Sequence, residues 1–193
     1  MPMDRNDLAR RIAAATPTDT SRGLNFNTVL ALAAERLGAP AAKALDPQGK
    51  GHRVDFFSYP IAEYLGITWA VADRLEPSLG TTEAVFRELG RRTVTGFLGS
   101  MLGRTVFAMA GRDPRKVLGN GASAYRSAVS YGERKVEFLA ERKARMVFTR
   151  DFMPAAFHAA VLETALAATD ARKPRVLARD TAFMCSEYEI GWE

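Results

Sequence analysis

The sequence of 193 residues contains one cysteine, Cys185, and two histidines, His52 and His158. A single thiol excludes an intramolecular disulfide and any cysteine-based zinc site, and two imidazoles exclude metal centres built on several histidines. Cys185 falls in an expected strand, where a buried, inert thiol is the plain reading. No run approaches ~18 uninterrupted apolar residues, so no membrane span is expected. The start, Met1-Pro2-Met3-Asp4-Arg5-Asn6, has no apolar stretch behind a basic one. No signal peptide is read there, and the expected location is the cytoplasm. Catalytic signatures are equally scarce: there is no phosphate-cradling lysine loop, no Gly-x-Ser-x-Gly elbow and no metal-ligand run. The stretch Gly119-Asn120-Gly121-Ala122-Ser123-Ala124 matches a dinucleotide fingerprint only superficially, because it follows a helix with no strand before it. No cofactor and no metal are expected, and the chain reads as non-enzymatic.

What is present suffices for one substantial core, with 47% hydrophobic and 25% charged residues. The formal charge is +5, from 27 basic and 22 acidic residues, with a sequence pI near 9.6. That balance favours weak attraction to polyanions. The basic residues Arg134, Lys135, Arg142, Lys143, Arg145 and Arg150 cluster in one expected hairpin, interleaved with Glu133, Glu137 and Glu141. Such mixed signs describe a solvated strand face, so binding to bulk DNA is expected to be weak and salt-sensitive, with no specific nucleic-acid partner.

Residues 1–22, interrupted by Pro2 and Pro17, read as a flexible tail, and residues 23–193 as one domain. Helical periodicity predicts helices from Phe26 to Leu37, Pro40 to Leu45 and Pro60 to about Leu75, the last closed by Glu76-Pro77. Between the second and third of these, Asp46-Pro47-Gln48-Gly49-Lys50-Gly51 is a loop by its breakers, and His52 to Tyr59 reads as extended. A long apolar run follows from Thr81 or Thr82 to Ala110, carrying Val85, Phe86, Leu89, Phe97, Met101, Leu102 and Met109. Its small residues Gly90, Gly96, Gly99, Ser100 and Gly103 are expected either to admit a close neighbour or to mark a bend or a break into two helices near Gly96 to Gly99, with Gly96, Gly99 and Gly103 the positions tested for close packing. Short helices at Asp113-Pro114 and from Ala122 to Val129 complete the helical half.

Beyond Tyr131 the period changes to two. Val136, Phe138 and Ala140 alternate with charge, as do Ala144, Met146 and Phe148, which is the pattern of an antiparallel hairpin with one buried face. A helix from about Ala155 to Ala168 and two strands, Arg175 to Asp180 and Met184 to Trp192, end the chain. The predicted fold class is therefore α+β: an N-terminal helical half packed with a four-stranded antiparallel sheet in the order ββαββ, crossed by its one helix.

Apolar aromatics occur in both halves, and Phe56, Phe57, Trp69, Phe97 and Phe157, with His158, are the candidate ligand-binding residues. Core packing accounts for most of those rings, and His158, flanked by Phe157 and Val161 on an apolar helix, also suits a core position. The expected function is a non-enzymatic ligand-binding or regulatory domain with a small apolar ligand, as a homodimer or with a protein partner. The alternatives are a protein-interaction module acting through the helical half, and an enzyme with an unrecognised site.

The blocks Gly23-Leu24-Asn25-Phe26-Asn27, Phe86-Arg87-Glu88-Leu89-Gly90-Arg91-Arg92, Tyr125-Arg126-Ser127-Ala128-Val129-Ser130-Tyr131-Gly132-Glu133-Arg134 and Glu187-Tyr188-Glu189-Ile190-Gly191-Trp192 resemble a domain-of-unknown-function family that occurs as many paralogues in myxobacteria. The resemblance covers about residues 22–193 and brings no established activity. More distantly, the order of elements is similar to the heme-nitric-oxide-binding domains, the 4-vinyl-reductase-type ligand-binding domains and vesicle-tethering subunits. The first of these implies an axial histidine on the helix before the sheet and a Tyr-x-Ser-x-Arg motif for the heme propionates. In this sequence that histidine position falls at Arg126, and Lys143 to Phe148 carries no such motif. A heme site of that kind is not expected.

Overall fold

The computed structural model describes residues 5–46, 48 and 51–193. Residues 1–4, 47, 49 and 50, on which parts of the tail and loop readings fall, lie outside the described residues, as do the side chains of Leu102 and Met109. The chain runs α1 (Arg5–Ala14), β1 (Thr20–Arg22), α2 (Gly23–Leu37), α3 (Ala39–Ala44), β2 (Ser58–Pro60), α4 (Ile61–Leu79), α5 (Thr82–Gly99), α6 (Met101–Ala110), α7 (Pro114–Gly119) and α8 (Gly121–Ala128). Then come β3 (Glu133–Ala140), β4 (Lys143–Thr149), α9 (Ala155–Ala167), β5 (Arg175–Ala182) and β6 (Cys185–Gly191). The last four strands form one antiparallel sheet in the order β3-β4-β6-β5, which is the predicted α+β arrangement. No described helix is long and apolar enough to cross a membrane.

α9 holds the two halves together. It is apolar on the two faces that meet the halves, while Glu163 pairs with Arg87 nearer the surface. Phe157 packs into the helical half with Phe26, Trp69 and Phe86, whereas Ala155, Ala159, Leu162 and Leu166 pack on Met146, Phe148, Tyr188 and Ile190 of the sheet. The outer sheet face carries an ion-pair ladder in which Glu137 meets Arg145 at 2.6 Å and Arg179 meets Glu187 at 3.5 Å.

Three local expectations change. The helix α4 runs through Pro77 to Leu79, because a proline in the last turn forgoes only one backbone bond, and Gly80 at φ 90° ends the helix. The three-residue strands β1 and β2 pair across the start of the domain, Ser21 opposite Tyr59, and were too short for a periodic signal. The segment read as a loosely attached tail is docked. Leu8, Ala14 and Ala15 pack on the core, and Arg11, only 9% exposed, donates to the carbonyls of Asp151 and Phe152.

The long glycine-bearing run breaks at Ser100, whose extended backbone separates α5 from α6. Gly99 faces open space and Gly96 meets only the Thr28 hydroxyl, so neither admits another backbone. Gly103 lies against the Phe97 carbonyl of its own chain, where the break folds α6 back. Among these glycines it is Gly90 that admits another element: a Cβ there would sit 2.2 Å from the Phe157 carbonyl oxygen of α9. Gly90→Ala is therefore expected to lower stability by about 1–3 kcal/mol through overpacking. Gly99→Ala is expected to leave stability unchanged or raise it by up to about 1 kcal/mol through helix propensity. Denaturant melts of the two variants check this, and equal losses would place the constraint elsewhere.

Candidate functional site

An apolar cavity of about 140 Å³ lies between the helical half and the sheet. Val94, Phe97 and Leu98 of α5, Val117 and Leu118 of α7, and Ala124 and Tyr125 of α8 line it, and Met146 of β4 with Val161, Leu162 and Ala165 of α9 closes it. Apolar side chains reach this spot because α9 presents small residues towards α5 and α7. A second, open cleft of about 310 Å³ between α1 and the β5–β6 hairpin is lined by Asp7, Arg10, Arg11 and Asp180. Its charges are partly matched internally, with Arg11 bonded to Asp7 at 2.7 Å, so it is not the apolar pocket the sequence predicts.

The cavity wall leads into a chain of buried polar groups. The Tyr125 hydroxyl lies 2.9 Å from His158 Nδ1, and His158 Nε2 lies 2.8 Å from Asp151 Oδ1. Arg134 donates to the other Asp151 oxygen and to the Tyr131 carbonyl, and the Met153 N–H donates to Asp151 Oδ1 at 3.0 Å. Asp151 is 1% exposed, His158 2% and Arg134 7%. For the neutral imidazole the donors run in one direction: the Tyr125 O–H donates to Nδ1, and Nε2–H donates to the carboxylate. Burial acts to raise the Asp151 carboxyl, but His158, Arg134 and the Met153 N–H outweigh it and hold the group well below the usual carboxylate range. Burial and the Asp151 charge push the Tyr125 phenol well above its ordinary value, so it keeps its proton. Phe148, Phe157, Tyr125 and Tyr188 surround the His158 ring edge to face, and the Arg134 guanidinium stacks over Tyr125 at 4.8 Å.

The six predicted ligand residues are not brought together. Phe97 alone lines the cavity, where it is half-buried. Trp69 stacks on Phe86 at 4.8 Å inside the helical core, and Phe157 lies in the same cluster. His158 is buried one layer behind the cavity and meets it through Tyr125. Phe56 and Phe57 are 70% and 55% exposed on a turn remote from it. Burying rings needs a neighbouring element, and that turn projects past β2, so its aromatics find none. The reading of Arg134 as a solvated hairpin residue is also corrected. It shares the inward parity of Val136 and Phe138, and that alternation is the signal that could have placed it inside.

A second buried ion pair shapes the Phe56 turn. Arg53, whose side chain is 1% exposed, grips Asp46 with two bonds of 3.0 and 3.1 Å and stacks over Phe26 at 4.5 Å. The carbonyls of Asp55 and Phe57 accept from Leu24 and Gly23, and a Cβ at Gly23 would sit 2.2 Å from the Val54 oxygen. The turn is therefore held rigidly against the start of α2.

A family model described as a protein of unknown function, DUF2378, matches residues 14–193. No curated protein matches the sequence at a significant level. Among solved structures, the Fe(II) NO-bound H-NOX protein of S. oneidensis is similar at 12% identity and a TM-score of 0.71, over 89% of this chain and 99% of that one. The Fe(II) unliganded H-NOX protein of K. algicida is similar at 12% identity and a TM-score of 0.67, over 89% and 96%. Likeness at this identity establishes a shared fold.

Removing one partner of a buried ion pair leaves an uncompensated charge, so Arg134→Met is expected to cost about 3–5 kcal/mol of stability, well above the loss at a typical surface arginine. Urea unfolding of Arg134→Met beside Arg142→Met measures the contrast. Similar small losses would mean that the Asp151 carboxylate is satisfied without the guanidinium.

Proposed function

The chain belongs to the DUF2378 family of proteins of unknown function, and from its geometry we propose that it is a ligand-binding sensor domain that takes a small apolar molecule in the cavity between α5, α7, α8 and α9. The observation that carries this reading is the cavity itself, about 140 Å³ and lined almost wholly by hydrocarbon. An apolar cavity of roughly 150 Å³ in another protein stays dry and binds benzene or xenon, which sets the size class of the occupant. A non-enzymatic role is supported by the state of the nearest polar groups. Tyr125, His158 and Asp151 have the order of hydroxyl, base and orienting carboxylate found in nucleophilic sites. Here burial and the neighbouring Asp151 charge hold the phenol towards its protonated form, which disfavours it as a nucleophile.

The H-NOX neighbours are described as Fe(II) proteins, one of them NO-bound. The residues present here do not fit a heme of that type. Arg126 of α8 is exposed, both ring nitrogens of His158 are occupied by Tyr125 and Asp151, and His52 lies on the surface beside Asn27. A cavity of about 140 Å³ is also smaller than the ~300–1,000 Å³ typical of sites for drug-sized ligands, and a porphyrin is larger still. The reading is therefore of a fold shared with gas-binding domains and a pocket suited to a molecule that enters without a macrocycle.

One observation favours a second reading, an interaction module in the helical half. Phe56 and Phe57 pair edge to face at 5.3 Å on a turn anchored by the buried Asp46–Arg53 pair, so their exposure is built in.

Two measurements test these readings. Benzene is expected to raise the melting temperature of the parent as the logarithm of its free concentration once that exceeds the dissociation constant, with chemical-shift changes centred on Val117, Leu162 and Ala165. Ala165→Phe, which fills the space, is expected to abolish both, and a parent without any shift would overturn the cavity reading. For the turn, Phe56→Ser and Phe57→Ser are expected to change stability by less than about 0.5 kcal/mol, as surface substitutions do, and to remove any self-association seen by sedimentation. A loss of several kcal/mol would assign the turn to the core instead.

A further inference from the structure

The cavity and the N-terminal helix share one hub. From the cavity wall, Tyr125 reaches His158 at 2.9 Å and His158 reaches the Asp151 carboxylate at 2.8 Å. On the opposite side of the same residue, Arg11 of α1 donates to the Asp151 carbonyl at 3.4 Å and to the Phe152 carbonyl at 3.1 Å. The preceding residue repeats the clamp. Arg150 grips Asp19 with two bonds of 2.7 Å and reaches the Ala14 carbonyl. It does so at φ 53°, a left-handed conformation that costs a non-glycine residue roughly 1 kcal/mol or more and that is often found in switching segments. Residues 150–152 thus hold α1 with two arginines while their central carboxylate is bonded through His158 to the side chain that lines the cavity.

We infer that α1 is the output element of this domain, docked or released according to whether the Tyr125–His158–Asp151 chain is in register. The inference rests on the cavity being the ligand site. An occupant that displaces the Tyr125 ring breaks or lengthens its bond to His158 and reorients the Asp151 carboxylate. The backbone at 150–152 moves with it, and the carbonyls that Arg11 needs turn away. The remaining hold on α1 is limited to its rim: Arg10 lies over the Phe183 ring at 4.1 Å, Arg11 lies 5.7 Å from the rings of Trp69 and Phe183, and Leu8 and Ala14 are only partly buried on the core. A small shift at the hub is therefore enough to change the docking equilibrium.

Hydrogen exchange at amides 9–14 of the full chain reads the docking directly. Without ligand, Tyr125→Phe is expected to speed exchange there by at least about fivefold, the low end of ordinary coupling. Ile190→Val, which alters the sheet core without touching the cavity or the chain, is expected to leave it unchanged. No change in Tyr125→Phe, or an equal change in Ile190→Val, overturns the inference. Should Tyr125→Phe fail to fold, the reverse direction decides: Arg11→Met must move the His158 ring resonances while Arg10→Met does not, and unmoved resonances overturn it. Benzene then separates this inference from the reading beneath it. If benzene binds and α1 exchange stays the same, the coupling is wrong and the pocket stands. If benzene does not bind, the ligand site is wrong, and the two variant comparisons alone decide whether the chain controls α1.

Discussion

The Asp151 carboxylate is the interaction on which the rest of the structure depends. A charge that is 1% exposed is tolerated only when its acceptors are filled, and an unpaired one would cost several kcal/mol. The groups that fill it come from three places: Arg134 on β3, His158 on α9 and the Met153 N–H at the turn between β4 and α9. Satisfying one carboxylate therefore fixes how the outer strand of the sheet meets the central helix. His158 in turn requires Tyr125, so α8 is positioned by the same demand. The aromatic rings packed round the imidazole keep water out, which makes each of these bonds harder to break.

The second constraint is the closeness of α5 and α9. With Phe157 directed into the helical half and Leu162 and Leu166 directed at the sheet, α9 is wedged between the two, and its N-terminal half touches α5 nearly backbone to backbone. Gly90 permits that contact at its Phe157 end. Towards the C-terminal end, where α5 carries Val94, Phe97 and Leu98 and α9 carries Val161 and Ala165, the helices no longer meet so closely and the cavity opens. The same wedge that seals one end of the interface leaves space at the other.

Much of this was legible in order but not in detail. The two-residue alternation of Val136, Phe138, Ala144, Met146 and Phe148 reports a sheet with one buried face, because these inward side chains pack in the core beneath α9. The break near Gly99 was readable as a choice between bend and contact, and Ser100 makes it a bend. Periodicity has no means of reporting a bond between residues distant in sequence. His158 reads as a core histidine and no sequence pattern ties it to Asp151, so only folding places one on the other. The candidate aromatics failed as a set for a related reason. A ring's presence says that it can be buried, whereas the neighbour that buries it is set by tertiary structure, so Trp69 went to the core, Phe97 to the cavity and Phe56 to the surface.

The comparison with the H-NOX fold sharpens what the buried imidazole means. Helix α8 precedes the sheet, where the resemblance places an axial histidine, and this chain has exposed Arg126 there. Its one buried imidazole lies on α9, across the sheet-facing layer, with both nitrogens engaged by protein groups. An imidazole in that state has no free lone pair for a metal. It can instead carry a positional signal, since moving Tyr125 on one nitrogen alters the bond to Asp151 on the other. The shared layers and their helix crossing are what the fold supplies. The chemistry follows from which side chains face the space between those layers, and here they are hydrocarbon on the cavity side, with a hydrogen-bonded polar chain immediately behind it.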